Sequence, residues 1–536
     1  TFRACFATPN MLVLGMQTVT ISKQAYDALL ALKPLVLDLK KQVEDLQEQL
    51  NLKQHKTYGP SSERAEYYGQ LNMSEVFNEV EAYFTPDTPE PTVEEVWVKP
   101  HKRKKKSSLK DRLPDDIPVE VIEHTLSDEA RTCPCCRHLM EDIGTKVREH
   151  LRLIPAKAIL ERHVQHVYAC KCCDEQANDV TVVTAKAPTP VFSGSLATAE
   201  SIAHIAVQKF VMHAPLYRQE QDWARREIHL SRQTMSNWLV RATKEYFLPV
   251  VRALYQDLMT REVLHADETV LQVLKEPGKK AQSKSYMWLY RTSKDTDRPI
   301  VLYDYQPDRR QVRPQKYLEH FSGYLHTDGY TAYRNLHDGI TNVGCMAHVR
   351  RKFDESLKAT DKTSPVKALA QDAILRIQQF FRLEKAYQEL SSDERYEKRL
   401  AELKPLMDDF YLWLEDLSVS NKSAFGRARH YAMTQKFYLY NLFRDGRLEL
   451  TNNRAERSIK PFVMSRKNFL FANTPNGAKA SAILFSLIET AKEYAIDPYD
   501  YLVWVLKKAP ELVENKELDK VAELTPDNYR RQGKGD

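Results

Sequence analysis

The sequence has no apolar stretch long enough to cross a lipid bilayer. Its longest early apolar run, residues 11–16, is too short for the hydrophobic segment of a secretory signal peptide. It also lacks a strong charge imbalance, because 79 basic and 73 acidic residues leave a net charge of only +6. A charge this small is compatible with a phosphate-containing partner but does not establish one. We therefore expect a cytoplasmic protein with no membrane partner.

The chain of 536 residues is several times longer than one typical domain, so we expect several domains. Apolar residues make up 42% of it and charged residues 28%, which is ordinary for a globular protein and argues against long disorder. We assign no role to residues 1–20.

Cysteine is scarce outside two short clusters at residues 133–136 and 170–173, which hold six of the eight cysteines. In a long cytoplasmic protein such clusters favour metal binding over disulfides. Each cluster contains a C-x-x-C pair, and two such pairs form the tetrahedral thiolate set of a structural zinc site. We predict one Zn²⁺ in a module of residues 119–185, held by Cys133, Cys136, Cys170 and Cys173. The additional Cys135 and Cys172 leave the choice of ligands open, and ordinary buried thiols are the alternative.

Near the N-terminus, apolar residues recur at alternating steps of three and four, which is the pattern of a coiled-coil helix. This heptad seam consists of Leu29, Leu32, Val36, Leu39, Val43, Leu46 and Leu50. We assign residues 21–70 to the segment and expect Pro34 to mark a helix start within it. A dimer zipper and an amphipathic helix packed on its own protein both explain the seam.

Residues 71–118 form a predicted linker that contains the basic run HKRKKK at 101–106. Such a run can hold phosphates, but a solvated linker explains it as well. Residues 190–255 are predicted to be helical, and the residues that signal helix ends within this range are arranged as in a helix-turn-helix. Ser231 is the predicted N-cap of a helix there, and Arg232 beside it is a predicted DNA contact.

The pattern then changes to the alternation that is typical of strands. Three predicted strands at residues 263–273, 285–291 and 299–305 follow one another as in a meander. A fourth at 323–328 comes after a predicted helix near 312–321. The chain is then predicted to be helical over much of its remaining length.

Three acidic residues occupy positions that suit metal chemistry. Asp267 and Asp328 each belong to a predicted strand, and Glu456 enters on a predicted helix. Phosphodiester cleavage and strand transfer can use two divalent cations about 3.5–4 Å apart. Mg²⁺ prefers hard oxygen ligands, so a few carboxylates on rigid elements can hold such a pair.

Each acid also has a plainer interpretation. Asp328 precedes a glycine, as many turn residues do. Asn453 and Glu456 suit a capping box that starts a short helix ended by Pro461. Asp267 has the weakest alternative, because an unpaired carboxylate inside an apolar strand is costly.

The sequence around these acids closely resembles that of the bacterial insertion-sequence-66 family of transposases, a branch of the DDE enzymes with a ribonuclease-H-like core. The matching blocks are LHADET at 264–269, TDGYTAY at 327–333, GCMAHVRRKF at 344–353, NNRAERSIKP at 452–461 and SRKNFLF at 465–471. The resemblance covers nearly the whole chain from residue 21, and only the tail after residue 523 matches less clearly.

The resemblance implies a multidomain fold of mixed α+β and α/β class. Its parts would be a coiled-coil helix, the zinc module, the helix-turn-helix-like region at 190–255, a ribonuclease-H-like catalytic domain at 256–475 with a helical insertion at about 364–430, and C-terminal helices at 476–536. It implies Asp267, Asp328 and Glu456 as the catalytic triad that holds two Mg²⁺ or Mn²⁺ ions. The implied partners are double-stranded DNA at element ends and target, further copies of the chain on DNA, and accessory proteins of the same element. The implied location is the bacterial cytoplasm, on the nucleoid.

Basic residues flank the second and third acids, and a cleft that holds DNA must offset the phosphate charge. The predicted DNA contacts are His348, Arg350, Arg351, Lys352, Arg454, Arg457, Lys460, Arg466 and Lys467. A solvated basic face is the alternative. Cys345 and His348 also form a C-x-x-H, which could be half of a metal site, but no second half is evident in the sequence.

We therefore expect a transposase that cleaves DNA at the ends of an insertion sequence with Mg²⁺ and transfers the freed 3′-hydroxyl ends to target DNA. A DNA-binding regulator that has lost catalysis is one rival, and a ribonuclease-H-like nuclease that cuts without joining is another. No serine or tyrosine is singled out as the covalent nucleophile that other recombinase classes need.

The zinc prediction can be tested by elemental analysis of the purified protein. We expect about one bound zinc in the wild type and its loss in Cys170→Ser, because a structural site needs all four ligands. If neither protein contained metal, the predicted site would be wrong.

Overall fold

A computed structural model of the chain describes residues 22–58, 157–169, 182–360 and 364–532. The chain divides into two compact units, one formed by Thr1–Pro60 with Pro188–Asp536 and the other by Ser61–Ala187. The predicted zinc ligands Cys133, Cys136, Cys170 and Cys173 lie outside the described residues, as does the basic run at 101–106.

In the second unit the described residues contain a small antiparallel ribbon. Strands β1 (Val167–Ala169) and β2 (Val182–Thr184) pair with Val167 opposite Thr184. Both strands lie within the predicted zinc module.

The N-terminal heptad segment forms one helix, α1 (Lys23–Tyr58). Pro34 lies inside this helix, so the expectation that it marks a helix start was wrong. Proline removes one backbone hydrogen bond from a helix interior. Because this helix is exposed on most of its surface, water can satisfy the carbonyl left free, and the remaining bonds carry the helix through.

Four helices lie between β2 and the large sheet. They are α2 (Ala199–Phe210), α3 (Leu216–Arg225), α4 (Arg232–Ala242) and α5 (Leu248–Met259), with a π-helical turn at Thr243–Phe247 between the last two. Ser231 caps α4 as predicted, since its hydroxyl accepts the backbone N–H of Thr234 at 3.1 Å.

The large sheet has five strands in the order β5-β4-β3-β6-β7. Its strands are β3 (Val263–Gln272), β4 (Lys284–Thr292), β5 (Val301–Gln306), β6 (Gly323–His326) and β7 (Ile340–Val343), with the short helix α6 (Val312–Tyr317) before β6 and a 3-10 turn at Thr331–Tyr333. β3, β4 and β5 form the predicted antiparallel meander, and β6 and β7 run parallel to β3. β7 was not predicted, because four residues of mixed polarity carry little strand signal.

A helical layer follows the sheet and has a core of its own. It contains α7 (Met346–Ala359), α8 (Pro365–Ala386), α9 (Ser392–Lys398), a π-helical turn at Arg399–Leu403, α10 (Lys404–Asp416), α11 (Ala424–Tyr440) and a 3-10 turn at Asn441–Arg444. Phe353, Phe410 and Phe425 are fully buried within it. A helical insertion was expected at about residues 364–430, and the observed helices extend beyond both ends of that range.

The chain ends in helices that cover the sheet. These are α12 (Asn453–Phe469), α13 (Pro475–Glu493), α14 (Pro498–Glu514), α15 (Leu518–Ala522) and α16 (Pro526–Gln532). Along α13, the hydroxyl of Ser486 accepts the backbone N–H of Tyr303 on β5 at 2.8 Å. α12 runs through Pro461, which therefore does not end it. One hydrophobic core joins the helices before the sheet, the sheet itself and these C-terminal helices, so the predicted boundaries at 255/256 and 475/476 fall inside a single core.

Buried Arg399 attaches the helical layer to the segment that leads into α12. Its guanidinium pairs with both carboxylate oxygens of Glu384 at 2.7 Å and donates to the carbonyl of Leu448 at 2.8 Å and of Gly446 at 3.3 Å. Position 446 must be glycine, because a β-carbon there would overlap the carbonyl oxygen of Ser392. The helical layer thus holds the approach to α12 in place.

Over the described ranges, no helix combines the length and the apolar character that a bilayer crossing requires.

Candidate metal centre

Asp267 and Asp328 come from neighbouring parallel strands in matching register. His265 on β3 lies opposite His326 on β6, and each aspartate follows its histidine by two residues. Because side chains alternate along a strand, Asp267 is directed to the same side of the sheet as His265. Asp328 lies two residues beyond the end of β6 at His326. The sheet thereby brings these two predicted acids together.

Asp328 also forms the turn that its sequence suggested. Its Oδ1 accepts the backbone N–H of Tyr330 at 2.8 Å, and Gly329 between them has φ 85°, which favours glycine. The hydroxyl of Tyr431 donates to the Asp328 carbonyl at 2.9 Å. The turn holds the aspartate in place, so turn formation does not compete with a role as a metal ligand.

Glu456 lies in the first turn of α12. Its Oε1 is 3.7 Å from Nδ1 of His348, and its Oε2 is 3.5 Å from the guanidinium of Arg351. The helix is capped at Asn452 without a side-chain hydrogen bond, so the capping box expected for Asn453 and Glu456 is wrong. Oε1 of Glu456 is buried without a hydrogen-bond partner among the described residues.

The charges of the acids converge on Asp267. Burial raises the pKa of Asp267 well above its ordinary value, and the negative charges of Glu268, Asp328 and Glu456 raise it further. A cation is the natural partner for carboxylates held together in this way, because it removes both the repulsion and the cost of a buried charge.

A soft ligand also reaches this centre. The ligand atoms of Cys345, His348 and Glu456 lie within 4.8 Å of one another. The sequence showed no second half for this C-x-x-H, and the fold supplies one group, Glu456, from another helix. Burial raises the pKa of the Cys345 thiol to about 12. The thiol accepts the backbone N–H of Asn452 at 3.1 Å, so it also supports the start of α12.

Beneath the aspartates lies a buried pair of histidines that sequence reasoning missed. The rings of His265 and His326 stack with centroids 4.3 Å apart, and neither side chain is exposed. Glu449 lies 3.3 Å from Nε2 of His265 and donates its backbone N–H to His326 at 3.2 Å. Although burial raises the pKa of Glu449, His265 and Arg454 outweigh that effect and hold the pKa well below its ordinary value. The repeated H-x-D spacing in the two strands was the signal that pointed to this pair.

Glu268, the residue next to Asp267, forms a second network that was not predicted. Its carboxylate pairs with Arg309 and accepts the hydroxyl of Tyr333 at 2.6 Å. The guanidinium of Arg309 in turn lies 3.5 Å from the ring centre of Tyr330. Burial raises the pKa of Glu268, and the charge of Asp328 raises it further.

Two of the basic residues predicted to contact DNA are already engaged within the protein. Arg454 donates to Glu449 at 2.8 Å. Arg466 donates to the hydroxyl of Thr269 on β3 at 3.2 Å. Both side chains therefore help to hold α12 in place.

The other predicted DNA contacts differ in how accessible they are. His348, Arg350, Arg351 and Lys352 lie half-buried on α7, where Lys352 pairs with Glu355 at 3.4 Å. Exposed side chains are presented by Arg457, Lys460 and Lys467 on α12 and by Arg232 at the start of α4. The latter four present basic groups to solvent, whereas His348 and Arg351 on α7 contact Glu456.

Comparison with protein families gives four matches along the chain. A family model described as "Transposase IS66 family" matches residues 194–480. One described as "zinc-finger binding domain of transposase IS66" matches residues 130–174, and "IS66 C-terminal element" matches residues 486–526. A fourth, "Transposase C of IS166 homeodomain", matches residues 45–122.

Curated proteins of similar sequence come from Sinorhizobium fredii (strain NBRC 101917 / NGR234). "Uncharacterized protein y4jD" is 32% identical over 411 residues, which cover 74% of this chain and 78% of that protein. "Uncharacterized protein y4qI" is 30% identical over 435 residues, which cover 77% of this chain and 76% of that protein.

The raised pKa of Asp267 predicts that Asp267→Asn stabilises the protein in the absence of divalent cations. An unfolded aspartate has a pKa of about 3.9. Because the folded-state pKa of Asp267 is higher, ionising it costs stability as the pH rises through that interval. We expect Asp267→Asn to melt at a higher temperature than the wild type at about pH 8, and the difference to vanish near about pH 4.

The matched control is Asp372→Asn, which removes a half-exposed aspartate paired with Arg376. It should change the melting temperature little at either pH. Equal melting of Asp267→Asn and wild type at about pH 8 would contradict the argument.

Proposed function

This chain belongs to the IS66 transposase family, and from that membership we propose that it cleaves DNA at the ends of an insertion sequence and joins the freed 3′-hydroxyl ends to target DNA. One observation carries the proposal. Beyond the burial that raises the pKa of Asp267 most, the charges of its neighbour Glu268 and of Asp328 and Glu456 raise it further, so the three predicted acids are close enough to interact electrostatically. Asp267, Asp328 and Glu456 are accordingly the proposed catalytic triad.

The residues present fit a pair of hard divalent cations, Mg²⁺ or Mn²⁺. The donors are carboxylates, which these ions prefer. Oε1 of Glu456 is buried and has no hydrogen-bond partner within the described part of the chain, so an oxygen ligand is available. When bound, the two ions would activate the attacking water or 3′-hydroxyl and stabilise the leaving oxygen.

We infer a ribonuclease-H-like arrangement for the catalytic core. Three antiparallel strands are followed by two that run parallel to β3. Asp267 lies on the central strand β3, Asp328 follows the adjacent β6, and Glu456 comes on α12 after the helical layer. This order supports the assignment that the sequence blocks implied.

The chain's own side chains would bind and orient the DNA. Arg457, Lys460 and Lys467 are exposed along the helix that carries Glu456, so they can contact phosphates beside the reacting bond. Arg351 lies against Glu456, where it would offset the charge of that carboxylate or of a phosphate. No covalent protein intermediate is needed.

For the zinc module we propose one structural Zn²⁺ on Cys133, Cys136, Cys170 and Cys173. The match of residues 130–174 to a zinc-finger family model supports the position of this module.

The catalytic proposal predicts that Asp267→Ala and Glu456→Ala each abolish cleavage and joining while DNA binding persists, because metal ligands are lost but the basic surface remains. Strand-transfer assays with DNA that carries the element ends, with Mg²⁺ or Mn²⁺, measure both steps, and mobility-shift assays measure binding. The control is Asp338→Ala, which removes an exposed acid between β6 and β7 and should leave both steps intact.

Each rival gives a different outcome. A regulator without catalysis would bind DNA without producing nicks even as wild type. A nuclease would produce nicks without joined product. Full joining by either triad variant would show that the acids are wrongly assigned.

We also propose that α1 forms a coiled-coil dimer through its heptad seam. The seam side chains are between 49% and 63% exposed. The helix instead contacts its own protein through polar groups, since Asp45 accepts the hydroxyl of Ser420 at 3.1 Å and Glu48 accepts the backbone N–H of Ala424 at 2.8 Å. The helix is thus attached to its own protein by polar contacts, while the apolar seam stays exposed. An exposed apolar seam of this kind favours packing against the same helix of a second copy of the chain.

Sedimentation analysis of the purified chain tests the dimer. The double variant Leu39→Asp with Leu46→Asp should shift the protein towards monomer, because it places charges in the seam. The control double variant Leu30→Asp with Leu37→Asp makes the same exchange at exposed leucines on the outer side of the helix and should remain dimeric. A seam variant that sediments like the wild type would exclude the zipper.

A further inference from the structure

We propose that His265, His326, Glu449 and Asn452 are positioning residues that set Glu456 against the two strand aspartates. This inference rests on the proposed function, because it assumes that the three acids hold metal together. The four side chains do not belong to the proposed triad. They form a buried tie between two strands and a helix that is distant in sequence.

The stacked histidine pair bridges β3 and β6 two residues before each aspartate. His265 and His326 are opposite one another in the parallel register, and their rings are tilted by only 10°. Both are completely buried. Asp267 follows His265 by two residues and Asp328 follows His326 by two, so the stacked rings lie next to the positions from which both carboxylates project.

The buried histidines are connected to Glu456 through residues 449–452, which lead into α12. Nδ1 of His265 lies 2.9 Å from Oδ1 of Asn452, and Nε2 lies 3.3 Å from the carboxylate of Glu449. The Asn452 amide donates to the carbonyl of Ala266 at 2.8 Å, and the backbone N–H of Glu449 donates to His326 at 3.2 Å. Four contacts thus join this segment to residues one or two positions before the aspartates.

Asn452 gives the clearest sign of a positioning role. It occupies the N-cap of α12, where an asparagine side chain ordinarily accepts a backbone N–H of its own helix. Here the side chain makes no such bond and contacts β3 instead. The backbone N–H of Glu456 donates to the Asn452 carbonyl at 3.3 Å, so Glu456 follows any displacement of Asn452.

The decisive variant is Asn452→Ser. Serine caps helices as well as asparagine does, so α12 can still begin at this position, but the contacts with His265 and Ala266 are lost. We expect Mn²⁺ to bind about ten- to a hundredfold more weakly, as when a group that orients a metal ligand is removed. Binding is measured on the full zinc-loaded chain by the loss of the free-Mn²⁺ electron paramagnetic resonance signal, independently of activity.

Two controls make the result specific. Asn453→Ser changes the neighbouring residue, the first of α12, and should leave Mn²⁺ affinity unchanged. A melting temperature close to that of the wild type for Asn452→Ser would show that the loss of affinity does not come from general unfolding. The Mn²⁺ concentration that half-saturates cleavage should rise in parallel with the binding constant.

If Asn452→Ser does not fold, Glu449→Gln decides the question. It keeps the size of the side chain and the N–H that His326 accepts, but removes the charge that faces His265 and Arg454. A several-fold weaker Mn²⁺ affinity would support the tie.

The outcomes separate the two proposals. If Asp267→Ala still binds Mn²⁺ like the wild type, the proposed metal centre itself is wrong. If Asp267→Ala loses Mn²⁺ while Asn452→Ser, or Glu449→Gln in its place, keeps wild-type affinity, the positioning role alone is overturned.

Discussion

Repulsion between acidic side chains is the constraint around which the core of this protein is built. Asp267 is buried beside Glu268 and feels the negative charges of Asp328 and Glu456. Ionising it therefore costs free energy unless a positive charge compensates for the burial and the repulsion. The protein compensates Glu268 with Arg309 and the hydroxyl of Tyr333. No comparable pairing neutralises Asp267 among the described contacts, which is why a cation is the partner that its surroundings fit best.

Rigid connections keep the acids from moving apart. The parallel pairing of β3 and β6 sets the two aspartates in register, and the buried histidine pair fills the space below them. The third acid arrives only after a helical layer with its own core, and Arg399 anchors that layer to the segment before α12. The long insertion therefore supports the centre mechanically, although it supplies none of the three acids.

Many features could be predicted from local sequence because they depend on neighbouring residues. The meander strands, the Ser231 cap and the heptad helix all follow from periodicity or from contacts a few residues apart. Predictions failed where one residue was given too much weight. Pro34 and Pro461 were both read as helix boundaries, yet each lies inside a helix whose other hydrogen bonds and contacts outweigh the one bond that proline removes.

The sequence by itself was enough to predict Asp267, Asp328 and Glu456 as a triad, because the blocks around them are specific and occur in order. Only the tertiary structure decided which groups support them. Asn452 meets His265 across 187 residues, and Glu449 meets His326 across 123. Contacts over such separations leave no periodic trace in the chain, since they depend on how strands and helices pack rather than on which residues are neighbours. For the same reason Arg454 and Arg466 were predicted only as DNA contacts, whereas the fold engages them in holding α12.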